Sequence, residues 1–194
     1  MGVQYLPVPW PDYHATAQKL AASILTQSPP IDEIIAISRG GLTLGHLLSD
    51  FLRIPISTIS IQSYTDIQTR REVELTAKLQ RSVKDKHIAL VDDVADSGKT
   101  LKRAVSYLKR AKAKSVTTVT MFYKPHSVYR PDYFAQQTDK WILFPYEQTE
   151  MILLISKKMA AEGKSKSEIQ DALHALNFTD SYIAFVRKHF LDTL

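Results

Sequence analysis

Cysteine is missing from this chain of 194 residues, which removes disulfides and thiolate metal sites at once. Nor does any apolar run approach the ~18 residues that a membrane span needs. The first residues are broken by Pro7, Pro9 and Pro11 and lack the apolar core of a signal peptide. A soluble, cytoplasmic protein is the expectation. Repeats and low-complexity segments are also absent. The length suits one domain, or one domain with an appendage, and is enough to bury a sizeable core.

Acids are absent between Lys99 and Lys114, where seven basic residues fall. With a net charge of +5 and a pI near 9.3, this invites a nucleic-acid reading. The distribution argues against it. Leu101, Ala104, Val105 and Leu108 recur at helical spacing, which puts much of that charge on a solvated face. From Met151 onward six Lys or Arg stand against five Asp or Glu, little for duplex DNA. Local positive potential for a small, highly phosphorylated substrate is sufficient explanation.

What is present centres on Ile88-Ala-Leu-Val-Asp92-Asp93-Val-Ala-Asp96-Ser-Gly-Lys-Thr-Leu101. An apolar strand carries Asp92 and Asp93 to its carboxyl end, where adjacent acids can grip vicinal ribose hydroxyls and a metal ion. The following turn aims successive backbone N–H groups and a helix start at one point, a natural phosphate site. Ser97 and Thr100 add hydroxyls, and Gly98 permits close backbone approach. A nucleotide P-loop is disfavoured because it needs glycine five residues before the Gly-Lys pair, and position 93 is Asp. An N-capped turn would explain one polar residue, not three aspartates within five positions.

Upstream, Ile34-Ile-Ala-Ile-Ser38-Arg39-Gly40-Gly41-Leu42 repeats the logic. A short apolar strand ends in a Gly-Gly turn that exposes N–H groups, and Arg39 offers a fork for phosphate oxygens. Runs near 33–38, 56–61, 87–92, 116–123 and 140–144 read as strands, with helices at 13–26, 42–52 and 99–112. Such alternation predicts an α/β protein with a mainly parallel sheet flanked by helices, and ligands bind beyond the carboxyl ends of its strands. The polar segment 62–84 is expected to be a flexible hood that excludes water, or else a solvated hairpin. Beyond Thr149 three helices are expected, the second opened by the capping box Ser165-x-x-Glu168 and the third by Thr179-Asp180.

The Asp92 segment resembles the phosphoribosyl-pyrophosphate (PRPP) signature of the type I phosphoribosyltransferases, and Arg39-Gly-Gly resembles their pyrophosphate loop. Tyr123-Lys-Pro-His-Ser127 and Thr138-Asp-Lys-Trp-Ile-Leu-Phe-Pro-Tyr-Glu147 look most like the xanthine-guanine and hypoxanthine-guanine enzymes of microbes. The likeness covers roughly residues 30 to 147. It implies a phosphoribosyltransferase domain over 1–147 and a C-terminal helical extension over 148–194, packed on the core or at a subunit interface.

The resemblance further implies purine salvage: Mg²⁺-dependent transfer of phosphoribose from PRPP to guanine, xanthine or hypoxanthine, giving the nucleoside monophosphate (such as GMP) and pyrophosphate. Ser38, Arg39, Gly40 and Gly41 would hold the pyrophosphate, and Asp92 and Asp93 the ribose hydroxyls. Ala95, Asp96, Ser97, Gly98, Lys99 and Thr100 would form the 5′-phosphate loop, with Asp96 as general base. Arg70 or Arg71 would close over the leaving group. Lys124 would donate to the purine 6-oxo group, Trp141 would stack on the ring, and the Ile142 carbonyl would meet a 2-amino group. Asp93 and, one methylene longer than the family's acid, Glu147 would serve the metal. A homodimer or homotetramer is implied as well. The alternative is a regulator of the same fold that senses PRPP or nucleotide and binds nucleic acid. An enzyme for pyrimidines or another acceptor is disfavoured by Lys124-Pro125 and Trp141-Ile142 together.

Overall fold

In the computed structural model, residues 3–63 and 73–191 are described. Along the chain run β1 (Tyr5–Pro7), α1 (Trp10–Gln27), β2 (Glu33–Ser38), α2 (Gly41–Leu52), β3 (Ile56–Ser63), β4 (Val73–Ala77), β5 (His87–Ala95), α3 (Lys99–Arg110), β6 (Ser115–Tyr123), β7 (Tyr133–Gln137), β8 (Trp141–Leu143), α4 (Gln148–Ala161), α5 (Lys166–Ala175) and α6 (Asp180–Val186). Chain contacts divide these into two compact units, residues 14–139 and residues 1–13 with 140–194.

The larger unit holds a six-stranded sheet in the order β4-β3-β2-β5-β6-β7. Every pairing is parallel except β3 with β4, so the sheet is the mainly parallel one expected. Its central strands are apolar on both faces because helices cover both. Successive side chains alternate across a strand: Ile35, Ile37, Ile88 and Leu90 join the cluster that contains Leu101, Ala104, Val105 and Leu108 of α3. On the opposite face α2 comes so close that a Cβ on Gly45 would lie 2.8 Å from the Ala36 Cβ. The four apolar residues read at helical spacing are the buried face of α3, and its lysines and arginines are left outside.

β1 and β7 were not anticipated, and β4 had been open as one arm of a hairpin. β1 is three residues long and ends in proline, and β7 is an edge strand with two glutamines. β4 falls inside the polar segment 62–84 and returns antiparallel along β3, Ser63 opposite Val73. The tip of that segment, including Tyr64, Arg70 and Arg71, lies outside the described residues.

A partly buried ion pair closes the amino end of β2. Glu33 is 4% exposed and accepts hydrogen bonds from Lys86 Nζ at 2.7 Å and Ser57 Oγ at 2.6 Å. Burial pushes its carboxyl up, but these bonds and the Lys86 and Arg81 charges prevail and hold it below the usual range. The depressed value makes its stabilisation present above the unfolded carboxylate range and lost as pH falls through the folded one. Lys86→Met should reduce unfolding free energy by about 1–3 kcal/mol, toward the lower end because Lys86 is 40% exposed. The deficit should shrink on acidification, as urea titrations at several pH values would reveal. A deficit independent of pH would remove the charge from the explanation.

In the smaller unit β1 and β8 pair in parallel, with Tyr5 opposite Trp141 and Leu6 opposite Ile142. Met151, Ile152 and Ile155 of α4, Ile169 and Leu173 of α5, and Ile183 and Val186 of α6 share one core with Leu143 and Phe178. The expected caps are in place. Ser165 Oγ accepts the Glu168 N–H while the Glu168 side chain returns to the Ser165 N–H, and Thr179 caps α6. The Glu168 carboxyl is lowered to about 2 by the Ser165 backbone bond and by Lys164. Among the described residues no helix is long and apolar enough to cross a membrane.

Candidate active site

β2, β5 and β6 are neighbours in the sheet and parallel, so the turns that follow them lie at one edge. Asp92 and Asp93 are 7% and 8% exposed near the carboxyl end of β5. The Asp92 carboxylate accepts the Asp93 N–H at 3.0 Å, and the Asp93 carboxylate accepts the Val94 N–H at 2.7 Å. Burial raises the Asp92 carboxyl well above the usual range, and the Asp93 charge beside it adds to the rise.

From these acids a cavity of ≈310 Å³ runs through residues 92–101. Its floor is the start of α3, capped by Gly98 with φ +74° and no side-chain cap bond. N–H groups of the first helical turn have no intrahelical acceptor, and the partial positive charge there suits a phosphate. Ser97 Oγ already accepts from the Lys99 N–H at 3.4 Å.

The glycines are close-approach points. A Cβ on Gly40 would overlap the Asp93 carboxylate, and one on Gly41 would overlap the Val91 carbonyl. The Ser38-Arg39-Gly40-Gly41 turn is thereby brought against the aspartate pair, with a cis peptide between Ser38 and Arg39. At Gly98 a Cβ would run into Ser127 Oγ and lie 2.6 Å from the Tyr129 backbone nitrogen. Gly98→Ala, strained in φ and in space, should lower unfolding free energy by about 1–3 kcal/mol. Urea titrations test this, and an unchanged value would mean that the turn tolerates a side chain.

The segment after β6 is stitched to the turn after β5. Lys124 N–H donates to the Ala95 carbonyl and Val128 N–H to the Ser97 carbonyl, each at 3.1 Å. Lys124 is 7% exposed, and burial lowers its ammonium, with the Asp96 and Asp139 charges opposing. Asp96 is exposed and meets His126 Nε2 at 3.2 Å. Asp139 and His126 were not singled out in the sequence. For His126 the available signal was its place two residues after Lys124.

Arg39, the Gly pair, Asp92, Asp93, residues 95–100 and Lys124 all belong to the larger unit. Trp141, Ile142 and Glu147 belong to the smaller one. There Trp141 is 51% exposed although its backbone N–H is tied to the Gln4 carbonyl at 2.8 Å. A half-exposed indole on a paired strand is not the core tryptophan that its residue type suggests. Ile142 is buried beside it, and Glu147 is the N-cap residue of α4.

Residues 9–149 match the family model of the phosphoribosyl transferase domain. The chain belongs to the phosphoribosyltransferase family. Among curated phosphoribosyltransferases it is 26% identical over 166 residues to the xanthine-guanine phosphoribosyltransferase of Gluconobacter oxydans, covering 84% of this chain and 95% of that one. It is 30% identical over 124 residues to the hypoxanthine phosphoribosyltransferase of Haemophilus influenzae, covering 59% and 68%. The crystal structure of a purine phosphoribosyltransferase from Pyrococcus horikoshii superposes with a TM-score of 0.68 at 32% identity, covering 73% of this chain and 93% of that one. The α/β architecture is thus the type I phosphoribosyltransferase fold.

Proposed function

We propose that this phosphoribosyltransferase is a purine salvage enzyme that transfers the phosphoribosyl group of PRPP to a 6-oxopurine: guanine, xanthine or hypoxanthine. The observation that carries the reading is the buried Lys124 ammonium tied by its own backbone to the phosphate loop that bears Asp96. A donor for a purine oxygen and an acceptor for a purine proton then stand beside a phosphate cradle. The relatives' names support the purine branch.

In the transfer, purine N9 forms a bond to ribose C1′ while the bond from C1′ to pyrophosphate oxygen breaks. The proton on purine N7 passes to the Asp96 carboxylate. Asp92 and Asp93 hold the ribose hydroxyls, residues 95–100 hold the 5′-phosphate, and the Arg39 turn holds the leaving pyrophosphate. Lys124 donates to O6, Trp141 stacks on the base and the Ile142 carbonyl accepts from a 2-amino group. Arg70 is assigned to closing over the pyrophosphate.

A divalent ion fits this chemistry. Mg²⁺ is commonly held by one or two carboxylates together with substrate phosphates, and Asp93 supplies a carboxylate against the Gly40 turn, with Glu147 as the second candidate. When bound, Mg²⁺ would neutralise charge on the departing pyrophosphate. Residues 148–194 are assigned as an extension to the catalytic domain, and the assembly as a homodimer or homotetramer.

The deciding assay follows pyrophosphate release and nucleotide formation from PRPP and Mg²⁺ with guanine, xanthine, hypoxanthine, adenine and uracil in parallel. Turnover of the 6-oxopurines alone supports the salvage enzyme. PRPP binding without turnover of any base would transfer the weight to a PRPP-sensing regulator.

A further inference from the structure

The loop after β6 does more than carry Lys124. Besides the two backbone bonds to Ala95 and Ser97, it packs Ser127 and Tyr129 against Gly98. Ser127 Oγ is itself tied to the Tyr129 carbonyl at 3.0 Å. Within this frame His126 Nε2 meets Asp96 Oδ1 at 3.2 Å, with the two side chains 63% and 65% exposed. An exposed pair of this kind contributes little to folding, and the backbone bonds already secure the loop. The contact is therefore available for another purpose.

An ionised carboxylate can only accept hydrogen bonds, so the facing imidazole nitrogen carries a hydrogen. With Oδ1 engaged, Oδ2 is left for a substrate proton. The other charges around this corner are Lys124 and Asp139, and the Asp96 and Asp139 charges both act on the Lys124 ammonium. Lys124 alone would draw the Asp96 carboxylate toward its ammonium and compete with the purine O6 for the same donor. The His126 contact with Asp96 opposes that collapse. The geometry points to His126 as the positioning residue of the general base. Its Nε2–H holds Asp96 Oδ1 so that Oδ2 meets the N7 proton of the incoming purine.

The inference rests on Asp96 being the base, so its test separates the two. His126→Ala should lower kcat about ten- to hundredfold, the effect of a misplaced catalytic group, with KM for PRPP unchanged. His126→Gln, whose amide can donate to the same oxygen, should recover most of the loss. In an Asp96→Asn background His126→Ala should have no further effect. Wild-type kcat in His126→Ala, or the same loss with and without Asp96, overturns the positioning role. Full activity of Asp96→Asn instead removes Asp96 as base and leaves His126 nothing to position. If the alanine variant melts early, the comparison of Gln with wild type decides: a Gln variant with the same unfolding midpoint and strongly reduced kcat overturns a role based on hydrogen-bond donation.

Discussion

Asp96→Asn is expected to lower kcat for 6-oxopurine transfer by about 10²–10⁴-fold, the usual contribution of a positioned proton acceptor, while PRPP affinity stays close to wild type. Asparagine keeps the shape of the side chain but cannot take the N7 proton as N9 bonds to C1′. The proposed phosphate cradle would depend on the backbone of residues 95–100 and on the start of α3, neither of which needs the Asp96 charge. Asp96 is largely exposed, so the change should also leave folding intact. Single-turnover kinetics beside calorimetric PRPP titrations make the comparison. A parallel loss of kcat and PRPP affinity would make Asp96 part of the cradle, and no loss of either would take it out of the site.

Lys124→Ala carries the second large effect, on choice of base. A 6-oxopurine offers an acceptor where adenine offers an amino donor, and an ammonium can only donate. A site built around such a donor can reject the mismatched partner by several orders of magnitude, because the buried polar groups are left unpaired. Turnover of guanine, xanthine and hypoxanthine should fall about a hundredfold or more, while turnover of adenine should not fall, so that selectivity collapses. Because Lys124 is buried, truncation also leaves a void, and Lys124→Met serves as the control that fills the space without the charge. Unchanged preference among bases in both variants would remove Lys124 from purine recognition.

Much of this protein was legible because the relevant features are local. A run such as Ile88–Val91 states its strand through apolar content, and Asp96 to Thr100 state a turn into a helix through spacing alone. Leu101, Ala104, Val105 and Leu108 announce the buried face of α3, and Ser165 with Glu168 announces the start of α5. Each of these depends on residues within one or two turns of one another. The weak strands escaped for the same reason. β1 is too short to establish a period, and β7 lies at an edge where polar side chains are tolerated.

The amino-acid sequence by itself determined the five apolar strands and the helices, the turn after β5, the Gly-Gly turn after β2 and the capped C-terminal helices, because backbone propensity, periodicity and capping act over a few residues. Tertiary structure alone decided the strand order that lays the Arg39 turn against Asp93, and the stitching of residues 124–128 to residues 95–97. It also decided the burial of Lys124, the exposure of Trp141 and the meeting of His126 with Asp96. An alternating pattern specifies which face of a strand is buried, not which strand lies beside it. That choice is made by packing the whole sheet at once.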